Sequence, residues 1–205
     1  MLKAIFVKNT EFSFAEQIIV LLMAVMAMLS TIPVISFMQR IRQEEKSGHT
    51  EHLLVRAVSR FSLFASYFII SLIASVLLMF LTALGFWSAG SITMESAPSF
   101  GTFIEAAMAY LPALWVMLEL SMVLIAYLPN KSFLIYLYLG FSFICIYIGA
   151  IAQLPEWVKK LSLFGHIPQI PVADMDAPRL AIITAIAIIL FILGFIGYRR
   201  RDLTM

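Results

Sequence analysis

The sequence predicts an all-α integral membrane protein of about five transmembrane helices, forming a single membrane domain over residues 1–205, and three observations predict it. The 205 residues are 62% hydrophobic and 13% charged, whereas soluble domains carry about 25% charged residues. Five predominantly apolar runs are each long enough to cross a hydrocarbon core of about 30 Å, which takes roughly 20 residues in helical form. None of them shows the period-two alternation of a membrane β-barrel, so the backbone must satisfy its hydrogen bonds within helices.

The runs are residues 14–39, 61–87, 102–128, 132–152 and 179–198. In the first, Pro33 removes a backbone donor and bends the helix; Pro112 does the same in the third. The connection after the first run carries Arg40, Arg42, Lys46, Arg56 and Arg60, whereas residues 88–101 contain no lysine or arginine. By the positive-inside rule the first connection is cytoplasmic. Counting spans onward puts Lys131 and the tail Arg199-Arg200-Arg201 on the same side, so nine of the 14 basic residues lie inside. The other five, Lys3, Lys8, Lys159, Lys160 and Arg179, lie outside. The N-terminus is then external, either as a short tail that crosses unaided or because the chain is part of a longer protein. No secretory signal is evident at the N-terminus.

In the second run Ser62 and Ser66, then Ser71 and Ser75, repeat every four residues, a spacing that lets another helix approach closely. The partner is a helix of the same chain or one of a second copy. Glu119 stands midway along the third run, where an ionisable group costs roughly 2.5–3.5 kcal/mol on insertion scales. It either lines a path through the membrane or pairs across the bundle, or it is a protonated carboxyl bonded to a neighbouring helix. Cys145, the single cysteine, sits in the fourth run as a packing residue and excludes an intrachain disulfide. In the external segment 153–178, Gln153-Leu154-Pro155-Glu156 followed by Trp157, Val158, Leu161 and Leu163 reads as a short amphipathic helix. Trp157, Lys159 and Lys160 hold it at headgroup level, either as a membrane-lying cap or with a role in substrate release. Pro168, Pro171 and Pro178 then return the chain in extended form.

Several function classes are excluded. No GxxxxGK[ST] loop, HExxH, GxSxG or CxxC pattern occurs, so the expectation is a chain that is not an enzyme and binds no cofactor. His49 and His52 are three apart, but no third residue at metal-ligand spacing accompanies them. A net charge of +2 is no footprint for nucleic acid.

The cytoplasmic connection is the most informative stretch. After Gly48, which permits a change of direction, Thr50 is placed to cap a helix. Glu51 falls in its positive first turn and Arg56 and Arg60 near its negative end, with Leu53, Leu54 and Val58 as an apolar patch. Such a helix fits a groove on a soluble partner or lies flat on the membrane. The stretch RIRQEEKSGHTEHLLVRAVSRFSLFASY resembles the signature of type-2 ABC exporter permeases. The closing stretch from Leu161 to Leu203, ending in YRRRDL, resembles the end of their antibiotic-exporter, tetronasin-type branch, as does YLPALWVMLELSMVLIAYLPN at residues 110–130.

That resemblance implies a permease in a bacterial plasma membrane that works with a cytoplasmic ABC ATPase subunit and a second permease half, exporting an amphipathic, antibiotic-like compound. It implies that Glu44, Glu45, Gly48, Glu51, Leu53, Leu54, Arg56 and Arg60 belong to the coupling helix that contacts the ATPase. Permease halves of this kind have six spans, and the five here match the second to the sixth, as expected for the C-terminal part of a longer permease. Val58 stands where the family carries proline before the Ser59-Arg60 pair. Two other readings compete: a membrane immunity or sensor protein that transports nothing, and an inactive permease fragment.

Overall fold

A computed structural model of the chain describes residues 14–46, 60–93, 98–149, 156–170 and 172–200. Among these residues the architecture is wholly helical, and five helical segments are long and apolar enough to cross a membrane. Helix α1 spans Phe14–Lys46 and α2 spans Arg60–Thr93. The third segment is split into α3, Phe100–Met108, and α4, Leu111–Tyr127. A 3₁₀ turn at Pro129–Lys131 leads into α5, Leu134–Phe143, which continues as a π-helical turn over Ile144–Ile148. The short α6, Glu156–Lys160, and a 3₁₀ turn at Leu163–His166 precede α7, Ala177–Arg200.

The two leading helices are longer than the runs that announced them. The 33 residues of α1 extend about 50 Å at 1.5 Å per residue, well beyond a hydrocarbon core of about 30 Å. Polar Gln39 to Lys46 continue α1 instead of opening a loop, and residues 88–93 likewise continue α2. Pro33 lies within α1 without ending it.

Pro112 does more than bend its helix. It sits in the first turn of α4, and the chain breaks at Ala109-Tyr110, where the Tyr110 amide turns back to the Ala107 carbonyl at 3.1 Å. A proline cannot donate to the turn before it, so the helix ends and restarts with Pro112 at an early position, where its missing donor costs least. Upstream, the Ser99 hydroxyl accepts the Thr102 amide at 3.3 Å and caps α3.

Helix α4 is the axis of the bundle. It buries residues around most of its circumference, from Leu111 and Ala113 to Ser121, Met122 and Ile125, as expected of a helix apolar on every face. Helix α1 buries one stripe, Met23, Ala27, Thr31, Val34, Met38 and Ile41, and exposes Leu22, Met26, Leu29 and Ile32 on the other. Exposed apolar side chains on a membrane helix suit lipid or another membrane helix.

Helix α7 buries only Ile183, Ala187, Gly194 and Gly197, and this narrow stripe makes its contact with α4 the most extensive between helices among the described residues. Both glycines are required by close approach. A Cβ on Gly194 would lie 3.0 Å from Met122 Cγ and 3.2 Å from the Val123 backbone nitrogen, and one on Gly197 would lie 2.6 Å from Tyr127 Cζ. Small residues let helix backbones pack closely where lipid supplies no hydrophobic drive.

The serine series of α2 divides between two faces. Ser71 and Ser75 are fully buried, with hydroxyls donating to Tyr67 and Leu72 carbonyls at 2.8 and 2.7 Å, whereas Ser62 and Ser66 are exposed. Helix packing within the chain therefore accounts for Ser71 and Ser75. Cys145 is buried, as a packing residue should be.

The segment before α7 is more than a surface anchor. Trp157 is 65% exposed, but Phe164, Ile167 and Ile170 join the core cluster that also contains Phe103 and Ile183. The Tyr138 hydroxyl holds the segment, donating to the Leu161 carbonyl at 3.4 Å and accepting the Leu163 amide at 3.2 Å. Pro178, expected in an extended return, belongs to the first turn of α7, because its fixed φ suits an early helical position.

Candidate functional site

Two regions collect the candidate functional residues, one at an end of the bundle and one inside it. At the first, α1, the turn between α4 and α5, and the ends of α2 and α7 meet. The Gln39 amide donates to the Ser132 carbonyl at 2.9 Å, and Arg42 Nη2 donates to Asn130 Oδ1 at 2.8 Å. Phe64 near the start of α2 stacks on Tyr198 near the end of α7, ring centroids 4.2 Å apart. These contacts make α1, α4 and α7 run parallel, with α2 antiparallel to them.

They also bring exposed Arg40, Lys131, Arg199 and Arg200 to one end, together with Arg42. At the opposite end, Arg179 forms an ion pair with Asp176 at 3.1 Å. The Asp176 carboxylate also accepts the Arg179 amide at 3.0 Å, capping α7. The basic side expected from counting charges is thus one physical end of the bundle.

Of the residues assigned to a coupling helix, Glu44 and Glu45 lie in the last turn of α1, and Arg60 is the first residue of α2. They therefore continue the spans, since a helix with satisfied backbone bonds need not stop where its side chains become polar. Gly48, Glu51, Leu53, Leu54 and Arg56 lie outside the described residues.

The second region surrounds Glu119. Its side chain is 4% exposed, and Oε2 has no hydrogen-bond partner among the described residues. It lines a cavity of about 280 Å³ between α2, α4 and α7, walled by Phe68, Leu72, Trp115, Thr184 and Phe191. The polar atoms of its neighbours are already committed. Trp115 Nε1 donates to Ser75 Oγ at 3.1 Å, and the Thr184 hydroxyl donates to the Leu180 carbonyl at 2.8 Å. Phe68 and Phe191 meet at 4.8 Å in a tilted pair.

No described group on a neighbouring helix bonds to Oε2; the residues of α2 and α7 that line the cavity are Phe68, Leu72, Thr184, Ala187, Ile188 and Phe191. Sequence reasoning isolated Glu119 but not its surroundings: Phe68, Trp115 and Phe191 are aromatics in apolar runs, and no local signal marks them as neighbours. Among the described residues, no three His, Cys, Asp or Glu side chains are grouped to hold a metal ion.

Comparison with known proteins adds a family. Residues 1–199 match the family described as the C-terminal domain of the multidrug efflux system permease Rv1217c. The chain is 28% identical over 189 residues to the multidrug efflux system permease protein Rv1217c of Mycobacterium tuberculosis, an alignment that takes in 91% of this chain and 34% of that protein. The chain thus spans about a third of the length of this curated relative.

Proposed function

The chain belongs to the Rv1217c C-terminal domain family of multidrug efflux permeases, and from that premise we propose that it is the membrane-spanning permease part of an ATP-binding cassette exporter. The observation that carries this reading is the match over residues 1–199, which takes in all five spanning segments. The exported compound is amphipathic and antibiotic-like. A partner ATPase at the cytoplasmic face hydrolyses the ATP, and a second permease half completes the path. The chain is not itself an enzyme.

Its membrane is a bacterial plasma membrane, and the end bearing Arg40, Arg42, Lys131, Arg199 and Arg200 faces the cytoplasm, as the distribution of basic residues favours. The N-terminus of this chain is then external. Residues 47–59 join the ends of α1 and α2 on that side, so an ATPase docked on Glu51, Leu53, Leu54 and Arg56 acts directly on two spans. Nucleotide binding that draws two ATPases together would tilt α1 and α2 and shift the bundle between inward- and outward-facing states. Because α1 and α2 both pack on α4, that tilt reaches the centre of the bundle.

The test is to tag the chain in its native membrane, solubilise it gently and identify what co-purifies. A P-loop ATPase should be recovered, and Glu51→Arg should lose it while leaving the chain in the membrane. A stable chain that recovers no ATPase overturns the exporter reading. Purified alone, the chain should hydrolyse no ATP.

A further inference from the structure

Four of the buried hydroxyls serve the chain's own backbone. The hydroxyls of Thr31, Ser71, Ser75 and Thr82 all donate to carbonyls one turn back in their own helices, the usual way a membrane helix satisfies a hydroxyl. Glu119 departs from this pattern, as do Ser121, Ser142 and Ser162: no described group bonds to its buried Oε2, and Glu119 alone of the four lines a cavity between helices. A carboxyl in that position is costly unless something compensates it.

The cavity restricts what that something is. No lysine, arginine or histidine lines it, so the protein supplies no counter-charge there. The indole N–H of Trp115 and the hydroxyl of Thr184 are already donated elsewhere, which leaves Glu119 as the acceptor in want of a partner. The rest of the wall is mostly apolar, with three aromatic residues, Phe68, Trp115 and Phe191, lining the same cavity as Glu119. Aromatic faces together with one carboxylate are the chemistry that holds an organic cation: the rings attract the positive charge through their quadrupoles while the carboxylate neutralises it. Ile188, which lines it, is 56% exposed, so the cavity opens on an outer apolar face of the bundle. A ligand arriving there must carry its charge on an apolar body, because about half a hydrocarbon thickness separates mid-span from water.

We propose that the cavity between α2, α4 and α7 is a binding site for a lipophilic organic cation taken from the bilayer, with Glu119 as its counter-ion and Phe68, Trp115 and Phe191 as its aromatic walls. The proposal rests on the export reading above and specifies the charge of the exported amphiphile.

The test uses the full-length protein in phosphatidylcholine nanodiscs, with tetraphenylphosphonium as probe and tetraphenylborate as an anion of matching size and shape. Equilibrium dialysis against empty nanodiscs separates binding from partition into lipid. Saturable binding of tetraphenylphosphonium is expected, at least about tenfold weaker in Glu119→Gln, retained in part by Glu119→Asp, and unchanged in Glu105→Gln on the exposed face of α3. A folded Glu119→Gln chain that keeps its affinity for the cation overturns the proposal, as does a wild-type chain that takes up the cation only by partition. Equal saturable binding of tetraphenylborate also overturns it, and this comparison needs no variant to fold. The assay contains no ATPase, so a failure of the exporter reading would appear in the co-purification experiment and leave cation binding unaffected.

Discussion

At the residue scale, neighbours determine what each polar or small group contributes. Trp115 is tied to Ser75 by a 3.1 Å hydrogen bond across helices, and Ser75 in turn donates to the Leu72 carbonyl. Trp115→Phe keeps the apolar volume but removes the interhelical bond. It should lower stability by about 0.5–1.5 kcal/mol, checked by thermal unfolding in detergent, while Ser75 keeps its bond to Leu72. Gly194 and Gly197 are three apart in an apolar helix, and the identity of each follows from the atoms facing it. A side chain at Gly194 meets the α4 backbone at Val123 N, which cannot yield without moving the helix. At Gly197 the nearest atoms all belong to the Tyr127 side chain, which is 55% exposed and held by a long 3.4 Å bond to the Leu193 carbonyl, so it yields at less cost than a helix backbone. Gly194→Leu should therefore cost about 1–3 kcal/mol by overpacking. Gly197→Ala should cost less, and adding Tyr127→Ala should recover most of that loss, measured in the same assay.

At the scale of elements, ends and breaks follow from chemistry that is local in the sequence. Pro112 stops α3 and starts α4 because it cannot donate backward, and Ser99 caps α3 through its hydroxyl. Asp176 caps α7 through the Arg179 amide and adds an exposed ion pair to the same residue. The exposed ion pair contributes little by itself, so Asp176→Ala should destabilise α7 mainly through loss of the cap, by about 0.5–2 kcal/mol. Faster amide hydrogen exchange confined to the first turn of α7 would identify the cap as the cause; an unchanged rate there would show that the ion pair or the preceding loop holds the helix end. The lengths of α1 and α2 were less legible. Polar letters at Gln39 to Lys46 look like a loop to a hydropathy scan, yet they extend a helix already nucleated by a long apolar run, where each added residue gains a hydrogen bond at no nucleation cost.

At the scale of the whole molecule, five alternating spans place the two ends of the bundle on opposite sides of a membrane. Basic Arg40, Arg42, Lys131, Arg199 and Arg200 gather at one end, and Lys160 and the Asp176-Arg179 pair lie toward the other. Because Cys145 is the single cysteine and is buried, Cys145→Ser provides a background for labelling. In intact cells, Asp174→Cys should react with a membrane-impermeant maleimide, whereas Asn130→Cys should react only after the membrane is opened. The reverse pattern would invert the proposed orientation and move the ATPase-facing surface to the other end.

The sequence by itself determined the fold class, the number of spanning segments and the isolation of Glu119 in an apolar run. Each of these is set by the cost of placing a charge or an unpaired backbone group in hydrocarbon, and that cost depends on local composition alone. Only the tertiary structure decided that Ser71 and Ser75 turn inward while Ser62 and Ser66 do not, that Phe164 and Ile167 enter the core, and that Phe68, Trp115 and Phe191 line one cavity with Glu119. Those residues come from helices far apart in the chain, and in an apolar sequence nearly every face could pack against nearly any other. Close packing selects among them, through fits as specific as a missing Cβ at Gly194, and that selection leaves no periodic mark in the sequence.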